Sequence, residues 1–463
     1  MTNKLKLIYA PSGKRIIPYP PVGISILSEC VYKEFGWKPE VFDLDMMLNH
    51  LHFEENIPCL LYTDQLRPAQ VLKHELTDNV KKYGQILSEL IHLSSATAIG
   101  ISVMGFEQVA SALLLSRLAW ERGIRVILGG QFWTRENAVE LLRMFPDKPL
   151  TITVGDGWRA IVEFLSDPDS VPVNSFSIRD GKIKEGAKSS TSVPPEPDYS
   201  WVKWDMYEKY GYRIYKMKRP IRRAHLYVWD KKCNFRCAFC RVSSGSNAVI
   251  NSPKDIVETL SSLIQQGVRH FNFMTNELNP SRKYLLDLLD EMEKRIKVPI
   301  NWFTYIRADK LEKDDFRRIR KAGGRLMRYG IESGSQRLLD LMRKDYHVST
   351  MAETLRYASE SDIWNHINLL VGFPGENDDD IEKTVSFLKA NVAFIHSVRI
   401  NPFYLPPDTP IAKNPDQFGI KLKCFNKGWW EFEYADGTQT DPRSVENRIH
   451  RLISTCEQLG IGY

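Results

Sequence analysis

The residues best placed to do chemistry fall within one short run, Cys233-Asn234-Phe235-Arg236-Cys237-Ala238-Phe239-Cys240. Three thiolates on one loop can each cap one iron of a cubane iron–sulfur cluster, because a loop offers varied backbone directions where a strand or helix repeats one. The fourth iron then lacks a protein ligand, and chemistry happens at such an open position. A structural zinc site is the competing reading, but zinc normally closes with a fourth Cys or His. The nearest candidate, His225, lies on a strand-like segment and not at a ligand-like spacing. Inert buried thiols are the third reading, and a loop flanked by Lys and Arg fits it poorly. Cys30, Cys59, Cys424 and Cys456 are scattered singly, and the odd total of seven argues against a disulfide framework.

The elements that must position this loop read as two successive alternations of strand and helix. In the first, short apolar strands are expected at residues 5–9, 40–44, 98–103, 125–130 and 150–155, with helices at 21–35, 77–93, 109–122 and from 158. A less regular insertion falls between the second and third strands. Buried strands alternating with amphipathic helices predict a doubly wound parallel sheet that binds ligands at its carboxyl edge. Around residues 180–199 the texture turns charged, Ser/Thr-rich and Pro-rich, which predicts a surface hairpin and linker. The second alternation has strand candidates at 224–229, 270–274, 301–306, 325–331, 366–371 and 397–401. Ser252-Pro253-Lys254-Asp255 opens one helix with a capping Ser, Pro at the first position and an acid in the first turn. Six βα units with short connections predict a partial (β/α)6 barrel with its functional groups at the carboxyl ends of the strands. The expected layout is an α/β domain over 1–180, a hairpin and linker over 181–219, the barrel over 220–415 and a mainly helical extension over 416–463.

The composition suits that plan. Of the 463 residues, 43% are apolar and 26% charged, the balance of a globular chain. No apolar run is long enough to span a bilayer, and the start has no signal-peptide plan, so a cytoplasmic protein is expected. The net charge of +6 is spread along the chain without a basic block, which gives nucleic-acid binding little support.

The CxxxCxxC spacing, with Phe239 before the last Cys, closely resembles the radical S-adenosylmethionine (SAM) superfamily, and further motifs over residues 224–410 extend the resemblance. Thr275-Asn276-Glu277 ends the second strand where the family's polar groups meet the amino group of SAM, although the usual glycine-glycine-acid form is absent. Gly330-Ile331-Glu332-Ser333-Gly334 resembles the segment whose acid and serine reach the ribose or methionyl end of SAM, and Leu341-Met342-Arg343-Lys344 follows it. Gly372-Phe373-Pro374 resembles the turn beside the adenine, and Asn401 to Pro410, with Phe403, resembles the last barrel loop. The resemblance implies SAM contacts at these positions and at Arg307, with Cys233, Cys237 and Cys240 holding a [4Fe–4S] cluster. Tyr305, Tyr404, Trp429 and Trp430 are candidates to line a cavity or to pack in a core.

The first domain resembles the cobalamin-binding domain that precedes the barrel in one class of these enzymes. Tyr19 and Pro21 before the first helix, Ser102 and Met104 after the third strand, Gly129-Gly130-Gln131 and Gly155-Asp156-Gly157 are the positions implied to hold cobalamin. Glycine lets backbone approach a flat macrocycle, and Ser102 offers a hydroxyl. The mutase-type histidine motif is missing, since the corresponding loop reads Ala10-Pro11-Ser12-Gly13-Lys14. His50, His52, His74 and His92 are ordinary surface or core residues on this reading. Either cobalamin binds without a protein histidine or the domain keeps the fold without the cofactor.

The family implies reductive cleavage of SAM to a 5′-deoxyadenosyl radical, which takes hydrogen from an unactivated carbon of a small-molecule or peptide substrate. Substrate would enter between the domains, and an external flavodoxin- or ferredoxin-type donor would supply the electron. Methylcobalamin would then deliver a methyl group. Two alternatives stay open at this level: a radical cyclase, rearrangement or oxidation enzyme without methyl transfer, and a non-catalytic metal-binding ligand sensor.

Overall fold

The computed structural model describes residues 4–12, 19–55, 68–71, 75–188, 194–214, 221–228, 233–242, 251–426, 429–436 and 441–463. Gly13, Lys14, Cys59, His74, linker residues 189–193 and Trp229 lie outside them. The chain divides into two compact units, Met1–His225 and Leu226–Tyr463.

The first unit is built on β1 (Leu5–Tyr9), β2 (Glu40–Asp43), β3 (Ala98–Ser102), β4 (Arg125–Gly129) and β5 (Leu150–Thr153). These run parallel in the order β2-β1-β3-β4-β5. The direction of winding reverses between β1 and β3, and such a reversal opens a ligand crevice at the carboxyl edge. Strands flanked by helices bury both faces, so even Lys6 in β1 is fully covered and pairs with Glu40 at 2.9 Å. The core gathers Ile99, Ile101, Leu113, Leu114 and Leu128.

Two details differ from the sequence-based layout. The hairpin of β6 (Ser175–Arg179) and β7 (Lys182–Glu185) belongs to this sheet, because β6 pairs antiparallel with β5. Hydroxyl pairs hold that seam, Thr151–Ser177 at 2.8 Å and Thr153–Ser175 at 2.9 Å. The irregular insertion contains a helix over Leu44–Glu55, whose weak amphipathic pattern hides it from periodicity alone.

The second unit carries β8 (Arg223–Tyr227, across which the unit boundary falls), β9 (His270–Met274), β10 (Asn301–Tyr305), β11 (Gly324–Glu332), β12 (Trp364–Val371) and β13 (Ser397–Pro402). They lie side by side in sequence order, the plan of a partial barrel. A helix follows each of the first five strands, at Pro253–Gln265, Arg282–Arg295, Lys313–Lys321, Gln336–Leu341 with Val348–Glu360, and Asp378–Ala390. Ser252 caps the first of these as expected, accepting from the Asp255 amide at 3.2 Å. The extension was expected to be mainly helical. It is instead an antiparallel hairpin, β14 (Ile420–Asn426) with β15 (Trp429–Tyr434), followed by the helix Pro442–Leu459. Trp430, Phe432 and Tyr434 of β15 pack against the buried cluster of Ala238, Phe373, Leu405 and Ile411, and that burial favours the strand.

Candidate active site

The cysteine loop sits at the carboxyl end of the barrel sheet because backbone bonds tie it there. The Ala238 amide donates to the Met342 carbonyl at 2.9 Å, and the Ala238 carbonyl accepts from Ile411 at 3.1 Å. Cys233 donates to Val242 at 3.0 Å, and Cys240 to Cys237 at 3.2 Å. Phe239 anchors the same turn edge-on to Phe373, with ring centres 6.5 Å apart, and Phe373 in turn packs on Phe403 at 5.3 Å. Cys237 is buried, while Cys233 and Cys240 are half-buried.

Arg307, just past β10, braces the loop from beneath. Its guanidinium makes two 3.0 Å bonds to Asp309, donates to the Lys344 carbonyl at 3.1 Å, and lies 3.4 Å from the Phe235 ring centre. Such a bidentate, stacked arginine fixes geometry, and its Nε and Nη2 donors are engaged inside the protein. The structure thus places Arg307 against the cysteine loop. Phe235, Asp309 and Tyr346, whose ring also faces Arg307 at 4.7 Å, were not singled out from the sequence. Their only signal there is proximity to the cysteines and to the strand end.

The strand ends bring several expected residues to this loop. Glu277 is buried, and its carboxylate lies 3.5 Å from Cys233 Sγ. Burial raises the Glu277 carboxyl above its ordinary range, opposed by Arg307. Thr275 holds the turn, its hydroxyl donating to the Glu277 carbonyl at 2.9 Å, and Asn276 is exposed beside it. Glu332 ends β11 at a bulge in the β11–β12 register, with φ of 65°. A non-glycine residue in that conformation is uncommon and, at a strand end, aims its side chain away from the regular pleat. There Glu332 pairs with the buried Lys344 at 3.3 Å.

Ser333 is placed differently. Its hydroxyl is buried, contacts the Thr384 hydroxyl at 3.1 Å and accepts from the Ser335 amide at 3.0 Å, so it braces the turn. Gly334 is required by packing: a Cβ there would stand 2.7 Å from Phe387 Cβ and 2.8 Å from the Lys383 carbonyl. Gly372 donates its amide to Glu376 at 2.6 Å, and Pro374 is buried beyond it. Tyr404 and Trp429 stack on each other at 4.7 Å with exposed faces.

The cluster fits the donor set. Among the described residues no three His, Cys, Asp or Glu side chains converge as ligands of one ion. A cubane asks for one thiolate at each of three irons, and the loop supplies three. Burial pushes the Cys233 thiol up to about 12 and raises Cys237, for which Lys344 and Arg307 act in the opposite direction. Metal binding overcomes such a penalty by taking the thiolate directly. Cys30 and Cys456 are buried elsewhere, and exposed Cys424 contacts Glu431 at 3.1 Å.

The carboxyl edge of the first unit is of another kind. Gly129 and Gly155 have nothing within 4 Å of where a Cβ would stand, leaving open space over the backbone. Gly130 adopts φ of 106°, and a Cβ there would meet the Val103 carbonyl oxygen at 2.2 Å. Gln131 is exposed, while Asp156 and Gly157 are half-buried. Met104 and Phe106 are exposed beside this edge, 42% and 68%. Pro21 caps the first helix, its carbonyl accepting from Ser25, and Tyr19 is half-buried. Ser102 is half-buried at the end of β3. Open space over the Gly129 and Gly155 backbone with an apolar rim fits a broad, flat ligand such as a corrin.

Residues 229–388 match the radical SAM superfamily. Two tRNA-2-methylthio-N(6)-dimethylallyladenosine synthases are similar in sequence. That of Dichelobacter nodosus is 29% identical over 41% of this chain and 44% of its own. That of Buchnera aphidicola is 25% identical over 52% and 59%. The chain thus spans about half the length of the curated relatives it matches. Among solved structures, the radical SAM methyltransferase TsrM from Kitasatospora setae superposes with a TM-score of 0.63 at 16% identity, over 92% of this chain and 80% of that one. The cobalamin-dependent SAM radical enzyme OxsB superposes with a TM-score of 0.68 at 15% identity, over 98% and 66%. The cysteine loop and the strand ends through Gly372 thus lie in the part of the chain that matches the radical SAM superfamily. The fold of this chain is the one shared by the radical SAM methyltransferase TsrM and the cobalamin-dependent enzyme OxsB.

Proposed function

We propose that this radical SAM enzyme binds cobalamin in its first unit and methylates an unactivated carbon of a small-molecule or peptide substrate. The observation that carries the reading is the bare glycine edge at Gly129 and Gly155, on a sheet whose winding reverses between β1 and β3. Cys233, Cys237 and Cys240 would hold the cluster, and Tyr19, Ser102, Met104, Gly129, Gly155 and Gly157 would face the corrinoid. When bound, the cluster supplies the electron that cleaves SAM, and cobalamin supplies a transferable methyl group. The protein's own residues orient and shield. Arg307 stacks on Phe235 to fix the cysteine loop, and Phe239, Phe373 and Phe403 exclude water beside it. Glu332 and Glu277 present carboxylates at the strand ends, where the ammonium and ribose hydroxyls of SAM are the complementary donors.

The names of the curated relatives favour a second reading, transfer of a methylthio group to a tRNA adenosine. One anaerobic assay separates the two. Protein reconstituted with iron, sulfide and hydroxocobalamin is reduced with SAM, and the products are resolved by mass spectrometry. Methylation predicts a retained corrinoid absorption band and both 5′-deoxyadenosine and S-adenosylhomocysteine. A cluster-loaded protein that retains no corrinoid overturns the cobalamin assignment. Methylthiolated tRNA would establish the second reading.

A further inference from the structure

One face of the barrel sheet packs on the helices through Tyr329, Ile331, Ile367, Leu369 and Val398, all essentially inaccessible. The alternate residues form the opposite face, and two successive rows on its β11–β13 side are mostly polar. Strand register sets Tyr305, Arg328, His366 and Ser397 in one row, and Gly330, Asn368 and Arg399 in the next. In a parallel sheet such partners share a face.

This floor is cationic and incompletely partnered. The Arg328 guanidinium lies over the rings of Phe303 and Tyr305, at 4.9 and 5.6 Å, and makes no ion pair among the described residues. Arg399, exposed on the neighbouring strand pair, makes none either. Between them His366 engages the Ser397 hydroxyl through Nδ1 at 2.8 Å. Burial, then Arg328 and more weakly Arg399, hold its pKa below the ordinary value, and a hydrogen bond with Asn368 opposes them. Asn368, on the same face two residues along the strand, acts on this imidazole through its side chain. Most arginines elsewhere in this unit meet carboxylates, as Arg282 does with Asp315 and Arg337 with Asp380.

We propose that this floor binds the anionic group of the substrate, a carboxylate or phosphate held by Arg328 and Arg399. The inference deepens the proposed function by naming its substrate class and rests on that reading. Arg328 lies four residues before Glu332, so at about 3.3 Å per residue the anchor sits about 10–13 Å below the strand ends. An anionic group held there leaves the rest of a small molecule pointing toward Glu332 and the cysteine loop. The carboxylate of SAM, drawn to the open iron, would sit at that upper edge.

The test uses the anaerobically purified, cluster-loaded full chain and ligand-observed NMR titrations. N-acetylglycine is compared with neutral N-acetylglycinamide, and glycerol 3-phosphate with glycerol, which separates the carboxylate from the phosphate source. One anion should bind at least about tenfold more tightly than its neutral counterpart, since charge-assisted bonds reach that size. Arg328→Gln and Arg399→Gln should each lose about tenfold, Arg328→Lys should keep the anion preference, and SAM binding by equilibrium dialysis should stay within about twofold. Two results overturn the proposal: neither anion exceeding its counterpart, or SAM affinity falling in parallel. Because binding is read without turnover, a wild-type chain that cleaves SAM but ignores both anions fails this inference alone. A chain that binds an anion but never cleaves SAM leaves the floor standing and removes the reaction.

Discussion

The two carboxyl edges of this molecule are built on opposite plans. In the barrel unit the edge is crowded with charged side chains that engage one another: Arg307 with Asp309, Lys344 with Glu332, Glu277 beside Cys233. In the first unit the edge is mostly backbone, with open space at Gly129 and Gly155 and exposed Met104 and Phe106 nearby. A small, charged cofactor set needs directional contacts and low-dielectric surroundings, where a misplaced charge is costly. A broad, flat ligand needs clearance and apolar contact more than any single hydrogen bond. The contrast predicts that single substitutions act through charge and stability at one edge, and at Gly129 of the other through lost clearance alone.

The strongest way to break that comparison is at the cysteine loop. Cys237→Ala should abolish reductive SAM cleavage and lower iron and sulfide content, measured by metal analysis and visible absorption. Full cluster occupancy in that variant would refute the ligand assignment. Next in size is Arg307→Ala, which leaves Asp309 buried without its partner and should lower stability by about 3–5 kcal/mol in denaturant unfolding. Replacing the pair together, as Arg307→Met with Asp309→Leu, should restore most of the stability but not the iron content, because Phe235 still lacks its guanidinium.

A pH series comes third. Burial pushes the Glu376 carboxyl from 4.5 up to about 7, partly opposed by the Gly372 amide and Arg448. The folded state therefore holds this proton where the unfolded state has released it. Stability should fall as pH rises from about 4.5 to 7 and level off above, by at most about 3 kcal/mol. Glu376→Gln should flatten that slope, seen in melting temperature across the range. Asp43 in the first unit, raised by burial to about 6, should act in the same direction between about 4 and 6. The smallest expected effect on stability sharpens the comparison most. Gly129→Ala meets open space and should change stability by less than about 0.5 kcal/mol, yet reduce corrinoid retention after gel filtration. The matched barrel change Gly334→Ala should lower stability by about 1–3 kcal/mol through its clash with Phe387 and Lys383.

Much of this organisation was already legible in the residue string. The three cysteines carry their message locally, since spacing within eight residues fixes which atoms can share a cluster. The barrel strands were readable because apolar alternation and helix caps such as Ser252-Pro253 are local physics, and the observed strands fall within about two residues of the expected ones. Hairpin partners were not readable in this way. Residues 175–185 look like any polar hairpin until β5 supplies hydroxyl partners from 22 and 26 residues away. The Trp429–Tyr434 strand likewise depends on the apolar cluster beneath it.

Sequence alone determined the kind of chemistry: three thiolates on one loop, followed by acids and glycines at successive strand ends. Tertiary structure decided what the other side chains do. It set Arg307 against Phe235 and Asp309, placed Ser333 inside a hydroxyl network, and put Arg328, His366, Asn368 and Arg399 on one face. The physical reason is range. A ligand motif is fixed by covalent spacing along the chain, whereas the partner of a guanidinium or hydroxyl is whatever the strand register and the packing bring within about 3 Å of it.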